Sequence, residues 1–214
     1  MNLTQKILDY SLHYFDIAGI YHISTSGSCL ILGLESKLQR NLDDFYITNN
    51  RLVMRGFAEY VKPALDSIVT RLKESGIEAE PIGKYGYSSR YASSGTTTFI
   101  NLKNVAIKAG LGKRGKSTVV INPVFGSRLR FSALKLETPL ETNKDDPDEE
   151  SPFCKDCSIC IDECPVNILE PYRMGDDTKC LSNITHNAAV IKDKKVILCD
   201  ICLNKCPANQ IELK

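Results

Sequence analysis

Residues 154–165 read Cys-Lys-Asp-Cys-Ser-Ile-Cys-Ile-Asp-Glu-Cys-Pro, and residues 199–207 return to the same register as Cys-Asp-Ile-Cys-Leu-Asn-Lys-Cys-Pro. In the first run Cys154, Cys157 and Cys160 stand two residues apart, and Cys164 follows after three more, directly before Pro165. Three thiolates so close together let one loop wrap an iron–sulfur cube, while the cysteine before the proline points away and ligates a second cube. The second run is one thiol short. Val196 occupies the place of its first cysteine, and Cys180, between the runs, is the remaining thiol in this half of the chain. The count then closes on two 4Fe-4S clusters, one held by Cys154, Cys157, Cys160 and Cys206, the other by Cys164, Cys180, Cys199 and Cys202. Two zinc sites with four thiolates each would also use CxxC pairs. Zinc does not, however, require the third cysteine at that spacing or the crossed Cys-Pro.

Outside this segment the chain has the composition of a globular protein. Of its 214 residues 43% are hydrophobic and 25% charged, and 27 Lys+Arg against 26 Asp+Glu leave a net charge of +1. That excludes disorder as the default state and a polybasic character for the whole. A chain of this length buries roughly 70% of its unfolded surface. Eight of the nine cysteines lie between Cys154 and Cys206. No stretch reads as a secretory leader or as a membrane span. The expected location is the cytoplasm, with no membrane partner, where clustered thiols point to metal rather than to disulfides.

The preceding part alternates helical and strand patterns. Leu3, Ile7, Leu8, Leu12 and Phe15 recur at helical spacing over the first fifteen residues. Ser28 to Leu34 reads as a strand buried on both faces, with Cys29 a buried thiol. Helical periodicity spans Arg51 to Ser75, with Pro63 kinking the helix or opening its second half and Gly76 ending it in the left-handed region. Strands are expected at Ile77 to Ile82, Thr96 to Asn101 and Ser117 to Ile121, and a short helix at Leu102 to Ala109 closed by Gly110. The slip in alternation at Leu134 and Leu136 suggests a β-bulge. The resulting fold class is α/β: a mixed α/β domain over 1–140, an acidic linker over 141–150 and a two-cluster domain over 151–214.

Between Pro81 and Leu136 there is no Asp or Glu but there are ten cations, among them Lys84, Arg90, Lys108, Lys113, Arg114, Lys116 and Arg128. Two glycine-bearing loops lie inside this basic stretch, residues 84–91 and Gly110 to Ser117. Such loops let backbone amides approach an anion. Gly110 with Gly115-Lys116-Ser117 satisfies the bare Walker spacing, but the loop follows a helix and opens a strand, the reverse of a nucleotide-binding loop. An ordinary solvated face, an anionic cofactor or substrate, and RNA backbone phosphates are the alternative uses of these cations.

The stretch from Ala106 to Ser117 (AIKAGLGKRGKS), continued by Ile121-Asn122-Pro123, Phe125-Gly126-Ser127 and Thr138-Pro139-Leu140-Glu141, resembles epoxyqueuosine reductase, and the cysteine set with its lone Cys180 is similar as well. The resemblance covers residues 100 to 210. It implies a nitroreductase-like mixed α/β domain that binds cobalamin, with FMN as the alternative, followed by a bacterial ferredoxin-like domain that feeds it electrons, as in the related reductive dehalogenases. Gly110, Gly112, Gly115, Lys116, Ser117, Asn122 and Ser127 are then candidates for the cofactor-contacting wall. A modified nucleoside or small molecule is the implied substrate, and a reduced ferredoxin or flavodoxin the implied external electron donor. The chain departs from the family in a compressed N-terminal half, in lacking a C-terminal helical repeat that could grip tRNA, and in having no carboxylate just upstream of Ala109-Gly110-Leu111-Gly112. No catalytic acid is assigned; Tyr85, Tyr87, Tyr91 and His22 are the available proton donors. The rival reading is a non-enzymatic electron carrier whose first domain docks a partner enzyme.

Overall fold

A computed structural model describes residues 2–24, 27–36, 42, 45–48, 51–54, 57–82, 101–142, 150–176, 179–180, 190–192, 195–197 and 199–210. Packing divides the chain into two compact units. The first comprises Met1–Glu35, Phe57–Leu111 and Leu129–Pro147, and the second Ser36–Gly56, Gly112–Arg128 and Asp148–Lys214. This is a different cut from the linear one at 141–150. Ser36–Gly56 and Gly112–Arg128, expected in the first domain, pack with the cysteine-bearing segment.

In the first unit, helix α1 (Leu3–Ser11) is capped by the Asn2 side chain, which accepts from the Gln5 N–H at 2.8 Å. Ile7, Leu8 and Phe15 are buried, whereas Leu3 and Leu12, expected on the same apolar stripe, are 44% and 48% exposed. The helix is shorter than fifteen residues, so its apolar face narrows to its middle turns. Strand β1 (Ile17–Ser24) and strand β2 (Gly27–Glu35) form an antiparallel pair. Leu30, Ile31 and Leu32 are fully buried, as is Cys29, whose thiol burial pushes up to about 12. The strand expected at 28–34 therefore stands, buried on both faces although its neighbours are antiparallel.

The helical reading of 51–75 holds only for its second half. Strands β3 (Phe45–Thr48) and β4 (Arg51–Met54) pair antiparallel in the second unit. A π-helical turn at Phe57–Val61 leads into α2 (Lys62–Glu74), with Pro63 in its first turn, where a missing N–H costs nothing. Gly76, at φ 75°, ends it as expected. Strand β5 is confined to Ala79–Pro81, and α3 (Leu102–Lys108) is capped by Asn101 and followed by Gly110 at φ 75°. The strand expected at 96–101 falls outside the described residues except for Asn101.

The stretch Ser117 to Ile121 is a correction. Its strand part is only β7 (Val120–Ile121), which turns back on β6 (Lys113–Arg114). Thr118 lies at φ 67°, a turn conformation that β-branching normally disfavours. Strand β8 (Leu129–Leu136) pairs with β2 in unbroken register from Leu129↔Glu35 to Leu136↔Ser28. The expected bulge is absent from this ladder, because burial on both faces produced the loss of alternation. Among the described residues the irregularity of this sheet lies in β1, between His22 and Ser24. The sheet order is β1-β2-β8-β5, antiparallel throughout, with α3 packed on β1, β2 and β8.

The second unit is assembled from short pieces. A 3-10 turn at Pro152–Cys154 precedes α4 (Ile159–Asp162), the ribbon β9 (Leu169–Glu170) and β10 (Arg173–Met174), the pair β11 (Val190–Lys192) and β12 (Lys195–Ile197), and α5 (Ile201–Asn204). A second sheet, in the order β11-β12-β3-β4, joins segments about 150 residues apart, with Val196 opposite Phe45. No helix among the described residues is long and apolar enough to cross a membrane.

Candidate metal centre

The two cysteine runs fold into near copies of one another. In the first, Ile161, Asp162, Glu163 and Cys164 donate backbone N–H groups to Ser158, Ser158, Ile159 and Ile161 at 2.8, 3.0, 3.0 and 3.2 Å. In the second, Leu203, Asn204, Lys205 and Cys206 donate to Asp200, Asp200, Ile201 and Leu203 at 2.8, 2.9, 2.9 and 3.1 Å. Each short helix thus carries a cysteine at its second residue, Cys160 or Cys202, and closes just before a Cys-Pro pair. Beyond it, Asn167 donates to Cys164 O at 3.1 Å and Asn209 to Cys206 O at 3.0 Å. The repeat CPVN and CPAN at 164–167 and 206–209 was available in the sequence as the signal for these two asparagines.

The fold brings the thiols together crosswise. Cys154, from the first run, and Cys206, from the second, share an apolar nest with Ile121, Val119 and Ala208. Cys164, from the first run, shares another with Cys160, Cys180 and Cys202, closed by Ile161, Val166, Ile168, Leu169 and Met174. Electrostatics sets Cys160 with the other group instead. Burial pushes the Cys160 thiol up, and so do the neighbouring thiols of Cys154, Cys157 and Cys206. Burial pushes Cys202 up to about 11, reinforced first by Cys180 and Cys199 and then by Cys160 and Cys164. Cys206 is raised by burial and by Cys154 and Cys157, against the Ala208 N–H and the Ser127 hydroxyl. Burial also acts upward on Cys164, but N–H groups of Ile168, Val166, Leu169 and Asn167 outweigh it and hold that thiol below its usual value.

Among the described residues no three His, Cys, Asp or Glu side chains are arranged to hold a single metal ion. A lone zinc needs four donors converging at about 2.3 Å on one point. A 4Fe-4S cube takes each cysteine on a different iron, so its four donors stand around a volume. Six of the thiols lie in two apolar nests, Cys154 and Cys206 in one and Cys160, Cys164, Cys180 and Cys202 in the other, and donors spread in this way suit the larger group.

Of the residues expected to form a cofactor wall, Gly115, Lys116, Asn122 and Ser127 have internal partners in the second unit. Lys116 Nζ donates to Lys155 O at 3.1 Å and Cys157 O at 3.0 Å, clamping the first cysteine loop. Gly110 ends α3, and Gly115 N–H donates to Val119 O at 2.8 Å in the turn between β6 and β7. A Cβ on Gly112, at φ 152°, would stand 2.7 Å from Ile121 O. Ser117 is buried. The buried Asn122 side chain accepts from the Val124 and Phe125 N–H groups at 2.8 and 3.0 Å. Ser127 donates from N and Oγ to Asn209 Oδ1 at 2.8 and 3.0 Å. Asn209 Nδ2 in turn donates to Leu203 O at 2.7 Å, and its carbonyl accepts from Arg128 at 2.7 Å. Gly126, at φ 59°, admits this brace: a Cβ there would lie 2.5 Å from Ala208 O. Sequence reasoning assigned no role to Asn209.

Sequence reasoning also missed Tyr172. Its N–H donates to Lys116 O at 3.1 Å, and φ is 62°. Burial pushes its phenol up to about 12, helped by the Glu150 carboxylate and then by Cys154 and Cys160. Oη meets the full hydrogen-bond geometry with no group among the described residues, and the Glu150 carboxylate is the side chain that acts on it most. Glu150 is positioned by a bridge to Arg114, and Ser151 N–H donates to Arg114 O at 3.0 Å. Of the suggested proton donors, Tyr85, Tyr87 and Tyr91 lie outside the described residues. His22 is exposed, with Nδ1 3.2 Å from Leu140 O.

Residues 153–209 match the 4Fe-4S double cluster binding domain. The chain is 30% identical over 183 residues to epoxyqueuosine reductase of Leadbetterella byssophila, an alignment covering 71% of this chain and 59% of that protein. In fold it resembles an epoxyqueuosine reductase solved with an epoxyqueuosine-modified tRNA-Tyr stem loop, at TM-score 0.69 and 17% identity over 97% of this chain and 65% of that one. It also resembles a catabolic reductive dehalogenase in complex with 3-bromo-4-hydroxybenzoic acid, at TM-score 0.67 and 16% identity, covering 95% and 31%. The chain thus spans about three fifths of the curated relative's length. The resemblance to epoxyqueuosine reductase, the mixed α/β fold with a ferredoxin-like C-terminal part, and the iron–sulfur character all stand.

Proposed function

We propose that this chain is an iron–sulfur oxidoreductase that relays single electrons through two 4Fe-4S clusters to an acceptor held by its mixed α/β part. Cys154, Cys157, Cys160 and Cys206 would hold one cluster and Cys164, Cys180, Cys199 and Cys202 the other. The observation that carries the reading is the crossed grouping: each Cys-Pro cysteine packs with thiols of the other run. Bound there, the clusters supply reversible one-electron transfer at potentials set by burial and by hydrogen bonds to sulfur. The residues of the chain do the rest. The apolar nests keep water from the sulfurs, Lys116 fixes the carbonyls of the first loop, and the Asn209 brace fixes the turn that carries Cys206.

Cobalamin, with FMN as the alternative, is the acceptor that the resemblance suggests, and a modified nucleoside or a small molecule the substrate, with reduced ferredoxin or flavodoxin as donor in the cytoplasm. The described residues make no comparable case for the organic group. Gly112, Lys116, Asn122 and Ser127, named for its wall, serve the frame of the second unit, so no contact or step is assigned to it.

Anaerobic purification with iron, sulfide, cobalt and flavin analysis tests the reading. About eight irons per chain are expected, with a broad cluster absorbance, and bound corrinoid or flavin in addition. Colourless protein carrying zinc overturns the redox reading. Eight irons without affinity for either organic cofactor make the chain an electron carrier.

A further inference from the structure

The two cysteine frames share their backbone but not their surface. Aligned on their cysteines, Phe153 stands where the second run has Lys195, and Ile159 where it has Ile201. Asp162 and Glu163 stand where it has Asn204 and Lys205. Phe153 is 43% exposed and Ile159 38%, while Ile201 is half-buried. Phe153 directly precedes Cys154 and Ile159 directly precedes Cys160, so the covalent chain alone keeps both apolar side chains beside ligands of one proposed cluster. Cys157 and Cys160 are themselves only half-buried. Ile159, Asp162 and Glu163 fall on one side of the α4 turn, at i, i+3 and i+4, and the Glu163 N–H closes on Ile159 O at 3.0 Å. Asp156, Asp162 and Glu163 are all exposed, and Lys155 is the one cation between Pro152 and Cys164. The Lys116 ammonium is engaged by the carbonyls of Lys155 and Cys157, which holds this loop in a fixed shape. Two large apolar side chains kept in water on a braced loop, with carboxylates around them, have the make-up of a protein interface: an apolar centre inside a polar rim.

We infer that this face, Phe153 and Ile159 within the rim of Asp156, Asp162 and Glu163, docks a one-electron carrier protein whose own docking face is apolar with a basic rim. Electrons pass there between the carrier and the cluster held by Cys154, Cys157, Cys160 and Cys206. This rests on the cluster assignment proposed above. In each transfer the carrier's reduced centre loses one electron and the cluster gains it; no bond or proton moves. Encounters of this kind bury less than about 1,200 Å², so a patch of this size suffices. The rim charges act chiefly on the rate of encounter, and salt weakens them. The second run does not repeat the face, because Lys205 replaces Glu163 and Ile201 is drawn inward.

The test is stopped-flow oxidation of the anaerobically purified, reduced full chain by ferricytochrome c, a basic one-electron carrier, with a neutral quinone as a small acceptor that needs no docking. The second-order rate with cytochrome c is expected to fall about tenfold as salt rises from about 0.01 to about 0.1 M. Asp156→Lys with Glu163→Lys lowers the low-salt rate at least about tenfold and removes its salt dependence. Ile159→Ser lowers the rate at both salt concentrations. The quinone rate and the iron content stay at wild-type values. The same charge reversal at the exposed Glu74 and Glu137, in the other unit, leaves the cytochrome c rate close to wild type. Full clusters with an unchanged cytochrome c rate in the Asp156 and Glu163 variant overturn the inference and leave the cluster assignment standing, as does equal slowing by the Glu74 and Glu137 pair. Wild-type protein without iron overturns both. Should the lysine variant shed iron, Asp156→Asn with Glu163→Gln removes the charge in nearly the same shape, and an unchanged rate there overturns the inference.

Discussion

The run at 154–167 and the run at 196–209 repeat each other bond for bond through their short helices and Cys-Pro turns, yet their entries differ. The first begins on a 3-10 turn ending in Cys154, and the second comes out of β12, with Val196 opposite Phe45 in a sheet. Where a residue is committed to a ladder, its neighbours are fixed by register, and a thiol there is no longer free to turn toward a cluster. Cys180 joins the nest of Cys164 and Cys202 instead. The comparison teaches that two near-identical backbone frames differ in their cysteines while a connecting segment brings another thiol to the same nest.

The crossing of the two runs gives the largest expected effect. Replacing Cys154 and Cys206 together by alanine removes ligands of one cluster, so about four irons per chain remain; replacing Cys154 and Cys164 together strikes both clusters and leaves almost none. Iron analysis decides it, and equal losses in the two double variants break the crossed arrangement. Cys180→Ala alone takes the chain from about eight irons to about four, with one EPR signal lost; retention of eight shows that the second run needs no outside ligand.

A smaller effect separates the supports of the two runs. Lys116→Met keeps the stem but deletes two charge-assisted bonds to the first loop, together about 2–4 kcal/mol. Chelator challenge then strips iron at least tenfold faster from the cluster of Cys154 and Cys157, and the other cluster decays at its original rate. Uniform loss from both clusters places Lys116 in general stability. The smallest contrast lies in the paired asparagines. Asn209→Ala abandons the Ser127 and Leu203 partners and costs about 1–3 kcal/mol, read as a lower midpoint of thermal unfolding. Asn167, exposed and at φ 49°, is replaced by glycine without measurable loss, because glycine adopts that backbone freely.

Legibility differed between the parts for a physical reason. The strand around Cys29 to Leu34 and the second half of the 51–75 helix follow from local signals: an apolar run, a proline in a first turn, and a glycine after a last one. The first half of that helix failed because Arg51–Met54 pairs with Phe45–Thr48, in a sheet completed by β11 and β12. A periodicity window opening at Arg51 leaves out both the hairpin partner just upstream and the distant strands that complete the sheet. The glycine- and lysine-bearing stretch shows a similar gap between composition and contact. Its composition suits an anion, but Lys116 and Ser127 turn inward to the cysteine loops.

By itself the sequence determined the cysteine spacing, and with it the iron–sulfur character, because ligand reach along a short loop is a local property of the chain. Tertiary structure alone decided that Gly112–Arg128 frames those loops, that Asn209 braces Ser127, and that the Tyr172 N–H reaches Lys116 O. Those are contacts between segments tens of residues apart, set by packing and backbone register, for which no local pattern of residues provides a signature.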